Sequence, residues 1–205
     1  MLMKIYRRLL HAFGPQNWWP VKNGFRPKEW EICVGAVLTQ NTNWKNVEKA
    51  LENMKKHGIV SREDIIRIDT EKLAEIIKPA GYYNQKAKKL KALASLEGKI
   101  TREKLLSVWG VGPETADSIL LYAYGKPYFV IDAYTRRVFS RLGLVKETSS
   151  YEELRHFFEK NLPRDIQIYK EYHALIVELA KRFCKKKPFC EKCPISDYCK
   201  FENKN

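Results

Sequence analysis

The chain has 205 residues, 44% of them hydrophobic, and carries 38 Lys and Arg against 24 Asp and Glu, a formal net charge of +14. That is enough apolar material to bury a core in one domain or two small lobes, and no apolar run is long enough to span a bilayer, so a membrane-crossing helix is excluded. The positive excess points to a polyanion as partner, the plain alternative being a basic surface that is merely well solvated.

In chain order, residues 3–13 predict an amphipathic helix with Ile5, Leu9, Leu10 and Phe13 near one stripe, closed by Gly14-Pro15. It is basic but lacks a signal-peptide cleavage pattern, so it reads as a surface helix. Asn17-Trp18-Trp19-Pro20 follows; two flat, rigid indoles before a proline either plug a core or line an aromatic pocket. Residues 29–39 are apolar on most sides, which predicts a helix buried in the centre of a helical lobe, with Cys33 as an inert thiol inside it. Gln40-Asn41-Thr42 lies at its end. Asn43 is placed to cap a helix carrying Trp44, Val47, Leu51 and Met54 on one face, and His57-Gly58 ends it. Ser61 and Asp64 have capping-box spacing, and Thr70 is placed to cap a short helix that Pro79 and Gly81 end. After the turn Tyr82-Tyr83-Asn84, Ala87, Leu90, Leu93 and Ala94 run through a lysine-rich helix.

Residues 105–143 organise the rest. Thr101 is a plausible cap for a first helix, Gly110 and Gly112 permit a tight turn, and Pro113 suits the first position of a second helix, in which Ala116, Ile119, Leu120 and Ala123 keep helical spacing. A turn with little side-chain bulk, ending on a helix N-terminus, offers amide N–H groups and a partial positive charge to an anion such as phosphate. A brief extended link leads to Asp132, and Tyr134 to Leu142 predict a helix closed by Gly143. Ser150 and Glu153 again have capping-box spacing, ahead of Leu154, Phe157 and Phe158. The last long helix carries Ile166, Tyr169, His173, Ile176, Val177 and Ala180 at helical intervals. No segment alternates as a strand, so the predicted fold is all-α.

Cys184, Cys190, Cys193 and Cys199 follow C-x5-C-x2-C-x5-C. In an intracellular protein such spacing reads as a metal site before it reads as disulfides, and the residues alone leave zinc and a 4Fe-4S cluster both open.

Trp109-Gly110-Val111-Gly112-Pro113-Glu114-Thr115-Ala116, followed by Val130-Ile131-Asp132, resembles the helix-hairpin-helix and Gly/Pro-Asp signature of the endonuclease III superfamily of DNA glycosylases. Leu38 to Thr42, Gly81 to Asn84 and the four C-terminal cysteines fall in that family's order, so the resemblance covers nearly the whole chain. It implies two helical lobes, one from residues 25–133 containing the hairpin, the other from 1–24 plus 134–205 ending in a 4Fe-4S loop at 184–199, with the lesion pocket between them and Trp18, Trp19, Trp44 and Asp132 near one another. The cluster would be structural and would present Lys185, Lys186 and Lys187 to phosphates; the loop between its first two cysteines is one residue shorter than the family's usual one. Gly110, Val111, Gly112 and Thr115 match the family's phosphate-binding hairpin. Gln40 and Tyr82 match positions that fill the gap left by a flipped nucleotide, turn chemistry being the simpler reading of each.

By the same resemblance Asp132 is the carboxylate that stabilises an oxocarbenium-like sugar and activates water, which is compatible with its being a helix cap. Glu114 stands where bifunctional family members have a Schiff-base lysine, which implies a monofunctional enzyme. The Trp18-Trp19-Pro20 segment, Leu38 to Trp44 and Gly112 to Asp117 look like the 3-methyladenine DNA glycosylase III branch, whose aromatic side chains sandwich an alkylated purine; this assigns Trp18, Trp19, Pro20, Trp44, Glu114 and Lys181 to the base pocket. The chain is thus expected to be a monomeric cytoplasmic, nucleoid-associated enzyme acting on double-stranded DNA that contains a damaged base, with no membrane partner. Three alternatives remain open: an endonuclease III-like glycosylase and AP lyase acting on oxidised pyrimidines, a non-catalytic helix-hairpin-helix DNA-binding protein, and an electron-transfer protein.

Overall fold

A computed structural model describes residues 1–201. In chain order it contains α1 (Leu2–Phe13), α2 (Lys28–Leu38), α3 (Trp44–Lys56), α4 (Arg62–Arg67), α5 (Thr70–Ile76), α6 (Tyr83–Ala94), α7 (Arg102–Ser107), α8 (Pro113–Ser118), α9 (Ala133–Arg141), α10 (Tyr151–Asn161) and α11 (Ile166–Arg182). Among the described residues the sole sheet-type pairing is an isolated bridge between Arg26 and Ser61, so the fold is all-α, as expected.

Local chemistry sets most helix starts. The Asn43, Ser61, Thr101 and Ser150 side chains each accept from a backbone N–H in the first turn of α3, α4, α7 and α10, and Ser150 with Glu153 closes a reciprocal capping box. At α5 the cap position belongs to Asp69 and Thr70 is the first helical residue, a one-residue displacement from expectation. Beyond α8 the chain widens at Ile119–Ala123 into a π-helical turn, closed by Tyr124 N–H donating to the Ile119 carbonyl. Plain α-helical spacing would not show this extra residue; it accompanies a stretch in which Ile119, Leu120, Leu121 and Tyr122 are all buried.

The chain divides into two compact units, Trp19–Gly125 and Met1–Trp18 with Lys126–Asn205. In the first, α2 is the central helix: every residue from Trp30 to Leu38 is buried, as its nearly uniform apolarity requires. The second is built on aromatic packing. Phe129 stacks on Phe158 at 4.3 Å and meets Tyr169 edge-on at 5.4 Å, while Tyr172 donates a hydrogen bond to the Leu2 carbonyl and so ties α1 to α11. These contacts account for the division at 18/19 and 125/126. Phe129 is part of the aromatic core with Phe158, and Trp19 to Phe25 pack with α2, where the buried Glu31 carboxylate accepts from the Lys22 and Asn23 N–H groups and from the Asn23 amide.

Candidate active site and nucleic-acid interface

Asp132 is the N-cap of α9, and its Oδ1 accepts from Thr135 N–H at 2.6 Å. Its other oxygen faces His173 Nε2 on α11 at 3.6 Å, with the two side chains only 12% and 7% exposed. Burial opposes the charged carboxylate, but the interactions with His173 and Thr135 outweigh it and hold the pKa below the ordinary aspartate value. The result is an ionised carboxylate, oriented by two partners and largely withdrawn from bulk water. Trp18 closes the same neighbourhood: its ring meets His173 edge-on at 5.8 Å, and Lys181 Nζ lies 5.8 Å from the Trp18 ring centroid, within range for a cation–π contact.

The adjacent tryptophans part company. Trp18 and Asp132 belong to one unit, Trp19 and Trp44 to the other. Trp19 meets Trp44 and Tyr122 edge-on, each at 5.3 Å, and lies across Gly35 of α2, where a Cβ would stand 3.1 Å from the indole. Pro20 beside it is exposed.

The hairpin is a tied structure. Arg102 at the start of α7 makes a two-pronged ion pair with the fully buried Asp117 of α8, at 2.7 and 3.2 Å. Between the helices Val111 N–H donates to the Val108 carbonyl, Gly110 takes a φ of +80°, and Pro113 occupies the first turn of α8. Gly110 and Gly112 are exposed, whereas Val111 and Thr115 are buried, so the side chains of the latter two serve the hairpin's own packing. Gly110 is required twice over, by its positive φ and because a Cβ would come within 2.5 Å of the Lys89 side chain. Glu114 is exposed in the first turn of α8, where its charge complements the helix dipole.

Gln40 docks against this turn. Its amide donates to the Gly110 carbonyl at 3.1 Å and to Thr115 Oγ1 at 3.0 Å, and its carbonyl accepts from Lys89 Nζ at 2.6 Å. Tyr82, at the start of α6, is 64% exposed on a left-handed backbone with φ +46°. Among the described residues three non-glycine positions have positive φ: Asn17 before Trp18, Asn41 after Gln40, and Tyr82 itself. Such strain is held only where surrounding structure enforces it, and here it adjoins segments singled out for base and DNA contact.

The four clustered cysteines are half-buried and not joined in disulfides. All of them line one cavity of about 100 Å³, together with apolar side chains such as Leu142, Leu179 and Ile195. Burial raises the Cys193 thiol pKa, and the charges of Cys184, Cys190 and Cys199 raise it further. Among the described residues no three His, Cys, Asp or Glu side chains are grouped so as to hold a metal ion. Four thiols on the wall of one apolar cavity are the donor type a sulfur-bridged cluster takes, while their spacing here closes no three of them on a common point. Two arginines on α9 hold the loop: Arg137 donates to the Cys184 carbonyl, and Arg141 donates to Cys184 Sγ and to the Lys185 and Lys186 carbonyls. Lys185, Lys186 and Lys187 remain exposed.

Sequence reasoning placed His173 on an apolar stripe without a role at the site and passed over Lys86 and the two arginines. The signal for the first two is a titratable residue on an apolar stripe. His173 shares its face of α11 with Tyr169 and Ile176, and Lys86 precedes Leu90 and Leu93 by four and seven positions on α6. The arginines carry no such signal, because their partners are backbone groups of a distant loop.

Known proteins match this arrangement. The model of the HhH-GPD superfamily base excision DNA repair protein matches residues 34–164. A candidate DNA repair glycosylase of Methanocaldococcus jannaschii, MJ1434, is 50% identical over 97% of this chain and 96% of its own length. Endonuclease III of Thermotoga maritima is 32% identical over 83% of this chain and 82% of its own. The crystal structure of the H. pylori 3-methyladenine DNA glycosylase MagIII, bound to 1,N6-ethenoadenine, superposes with a TM-score of 0.75 at 34% identity, covering 88% of this chain and 97% of that one. The chain therefore belongs to the HhH-GPD superfamily of base excision DNA repair proteins and is a DNA glycosylase.

Proposed function

We propose that the protein is a monofunctional glycosylase that removes an alkylated purine such as 3-methyladenine, with Asp132 as its catalytic carboxylate. The observation that carries this reading is the buried, ionised Asp132, held at the head of α9 by Thr135 and His173 with Trp18 alongside. A stacked base must first leave the duplex, and Gln40 and Tyr82 are assigned to the space it vacates. The N-glycosidic bond then breaks heterolytically. An alkylated cationic purine departs with the bonding electron pair as a neutral base, so little general-acid help is needed, and positive charge develops at C1′ and the ring oxygen of the sugar. The Asp132 carboxylate stabilises that charge and orients a water whose oxygen bonds to C1′, the released proton passing to the carboxylate and on to solvent.

Glu114 supports the monofunctional part of the reading. A carboxylate cannot form the imine through which an amine nucleophile would lead to strand scission. The similarity to MagIII, together with the aromatic residues Trp18, Trp19 and Trp44, supports the alkyl-purine substrate. Hydrogen-bond donors of the hairpin turn and the exposed Lys185, Lys186 and Lys187 would hold the phosphates. Cys184, Cys190, Cys193 and Cys199 are assigned to a 4Fe-4S cluster, which when bound cross-links the C-terminal loop and takes no part at the sugar. The 32% identity to an endonuclease III favours a second reading, cleavage at oxidised pyrimidines with lyase activity.

Single-turnover assays on end-labelled duplexes carrying 3-methyladenine or thymine glycol separate these readings. Abasic sites from the alkylated base without strand scission, abolished by Asp132→Asn, are the expected result. Prompt scission at thymine glycol would overturn it, and binding unaffected by Asp132→Asn with no base release would leave only a DNA-binding module.

A further inference from the structure

Among the described residues Lys86 is the buried lysine, and the chemistry above does not use it. It is 1% exposed, yet its ammonium is not left without acceptors: Nζ donates to the Leu38 carbonyl at 2.9 Å and to the Ala80 carbonyl at 2.7 Å. Burial, reinforced by the charge of Lys89, lowers its pKa to about 8. A charge is seldom kept in such a place unless paired geometry requires it, because an apolar residue of similar size would avoid the desolvation cost.

The two acceptors are not arbitrary. Leu38 is the last residue of α2, and its carbonyl is one that the helix end leaves without an intrahelical partner. Two residues later comes Gln40, and then Asn41 with its positive φ. Ala80 ends the 3-10 turn Lys78–Ala80, and two residues later comes Tyr82, also of positive φ. Lys86 itself sits in the first turn of α6, whose N-cap is Tyr82, and its own N–H donates to the Tyr82 carbonyl. One side chain thus joins the roots of two segments that each carry a residue of positive φ and lie about forty residues apart in the chain. Gln40 in turn is bonded to the Gly110 turn and to Lys89, so the hairpin is coupled to the same frame.

We propose that Lys86 is a positioning residue that holds the Gln40 and Tyr82 segments in one register, so that both enter the duplex together when the damaged nucleotide leaves it. This rests on the assignment of Gln40 and Tyr82 to the vacated space. Without the two Lys86 bonds either segment could still touch DNA, but each would have to find its own position, and the insertion step would slow while phosphate binding through the hairpin stayed intact.

The test uses the full chain and two duplexes. One carries a tetrahydrofuran abasic site opposite 2-aminopurine, whose fluorescence rises when inserted side chains unstack it; the other is the same duplex without the abasic site. Lys86→Met keeps the aliphatic stem and removes the donors, and Lys86→Arg keeps charge and donors. For Lys86→Met the expected result is affinity for both duplexes within about threefold of the parent, with the rate of the fluorescence rise slowed at least tenfold. Lys86→Arg should recover part of that rate. In a Gln40→Ala or a Tyr82→Ala background, where one inserting segment remains, adding Lys86→Met should change the remaining rate by less than twofold, since no register between two segments is left to set. A parental rate in Lys86→Met, or equal losses in affinity for both duplexes, would overturn the proposal. If Gln40→Ala with Tyr82→Ala leaves the fluorescence change intact, the assignment of those two residues fails instead. Should Lys86→Met not fold, the rate for Lys86→Arg in the Gln40→Ala and Tyr82→Ala single backgrounds decides: additive effects would sink the coupling, and non-additive effects would uphold it.

Discussion

The hairpin turn and the cysteine loop are both assigned to phosphate contact, yet they are held in opposite ways. The hairpin is finished within the protein: the Arg102–Asp117 pair clips its helices together, and Gln40, bonded to Lys89, Gly110 and Thr115, fixes the turn from outside. The cysteine loop is suspended from Arg137 and Arg141 and surrounds a cavity lined by four thiols. A site completed by its own hydrogen bonds is ready before its ligand arrives, whereas one built around a cavity depends on what fills it. The hairpin should therefore tolerate conditions that undo the loop.

Removing a thiol should break this contrast most severely. Cys193→Ala is expected to cost at least roughly 2 kcal/mol of stability, or about 4–8 °C in Tm for a chain of this size. Thermal unfolding followed by circular dichroism measures the loss, and salt-dependent binding to undamaged duplex in the cold should lose the share carried by Lys185, Lys186 and Lys187 while keeping the hairpin's share. Unchanged Tm would mean that the loop is complete without a bound group.

Gly110→Ala attacks the other side. The added Cβ needs a left-handed backbone and meets the Lys89 side chain, so the turn or the Lys89 stem, with its bond to Gln40, must shift. Duplex affinity is expected to fall about tenfold, or about 1.4 kcal/mol, while base release from the saturated complex stays within about twofold. An equal fall in the saturated rate would show that the turn also bears on the chemistry.

His173→Gln should have the smallest effect, and it sharpens the account of Asp132. The working form of Asp132 is ionised, and His173 opposes the effect of burial on its pKa. Taking the imidazole away lets burial raise that pKa, so the acidic limb of the rate profile should move to higher pH. The stabilisation contributed by the ionised carboxylate above the unfolded aspartate pKa should shrink in step. A profile that does not move in single-turnover assays across pH would remove His173 from the account.

The parts of this molecule legible in its sequence are those decided within a few residues. Asn43, Ser61, Thr101 and Ser150 cap helices because each needs only an N–H three residues ahead, and Asp132 declares itself by the same rule. The central position of α2 follows from its composition alone. What the sequence does not display is partner choice over distance. Nothing local says that Lys86 will meet Leu38, that Arg141 will meet the Cys184–Lys186 segment, or that Trp18 and Trp19 will pack in different units. The π-helical turn after α8 is hidden for a related reason, since it alters spacing by one residue inside a run that is apolar throughout.

The contact between Lys89 and Gly110 also constrains how this sequence can drift. The Lys89 stem lies where any larger residue at position 110 would place its Cβ, while its ammonium holds Gln40 against the same turn. A lineage that shortened residue 89 would gain room at 110 and lose the bond to Gln40; one that replaced Gly110 first would meet the clash at once. Positions 40, 89 and 110 are therefore joined by contact, and a substitution at one changes what the other two can hold.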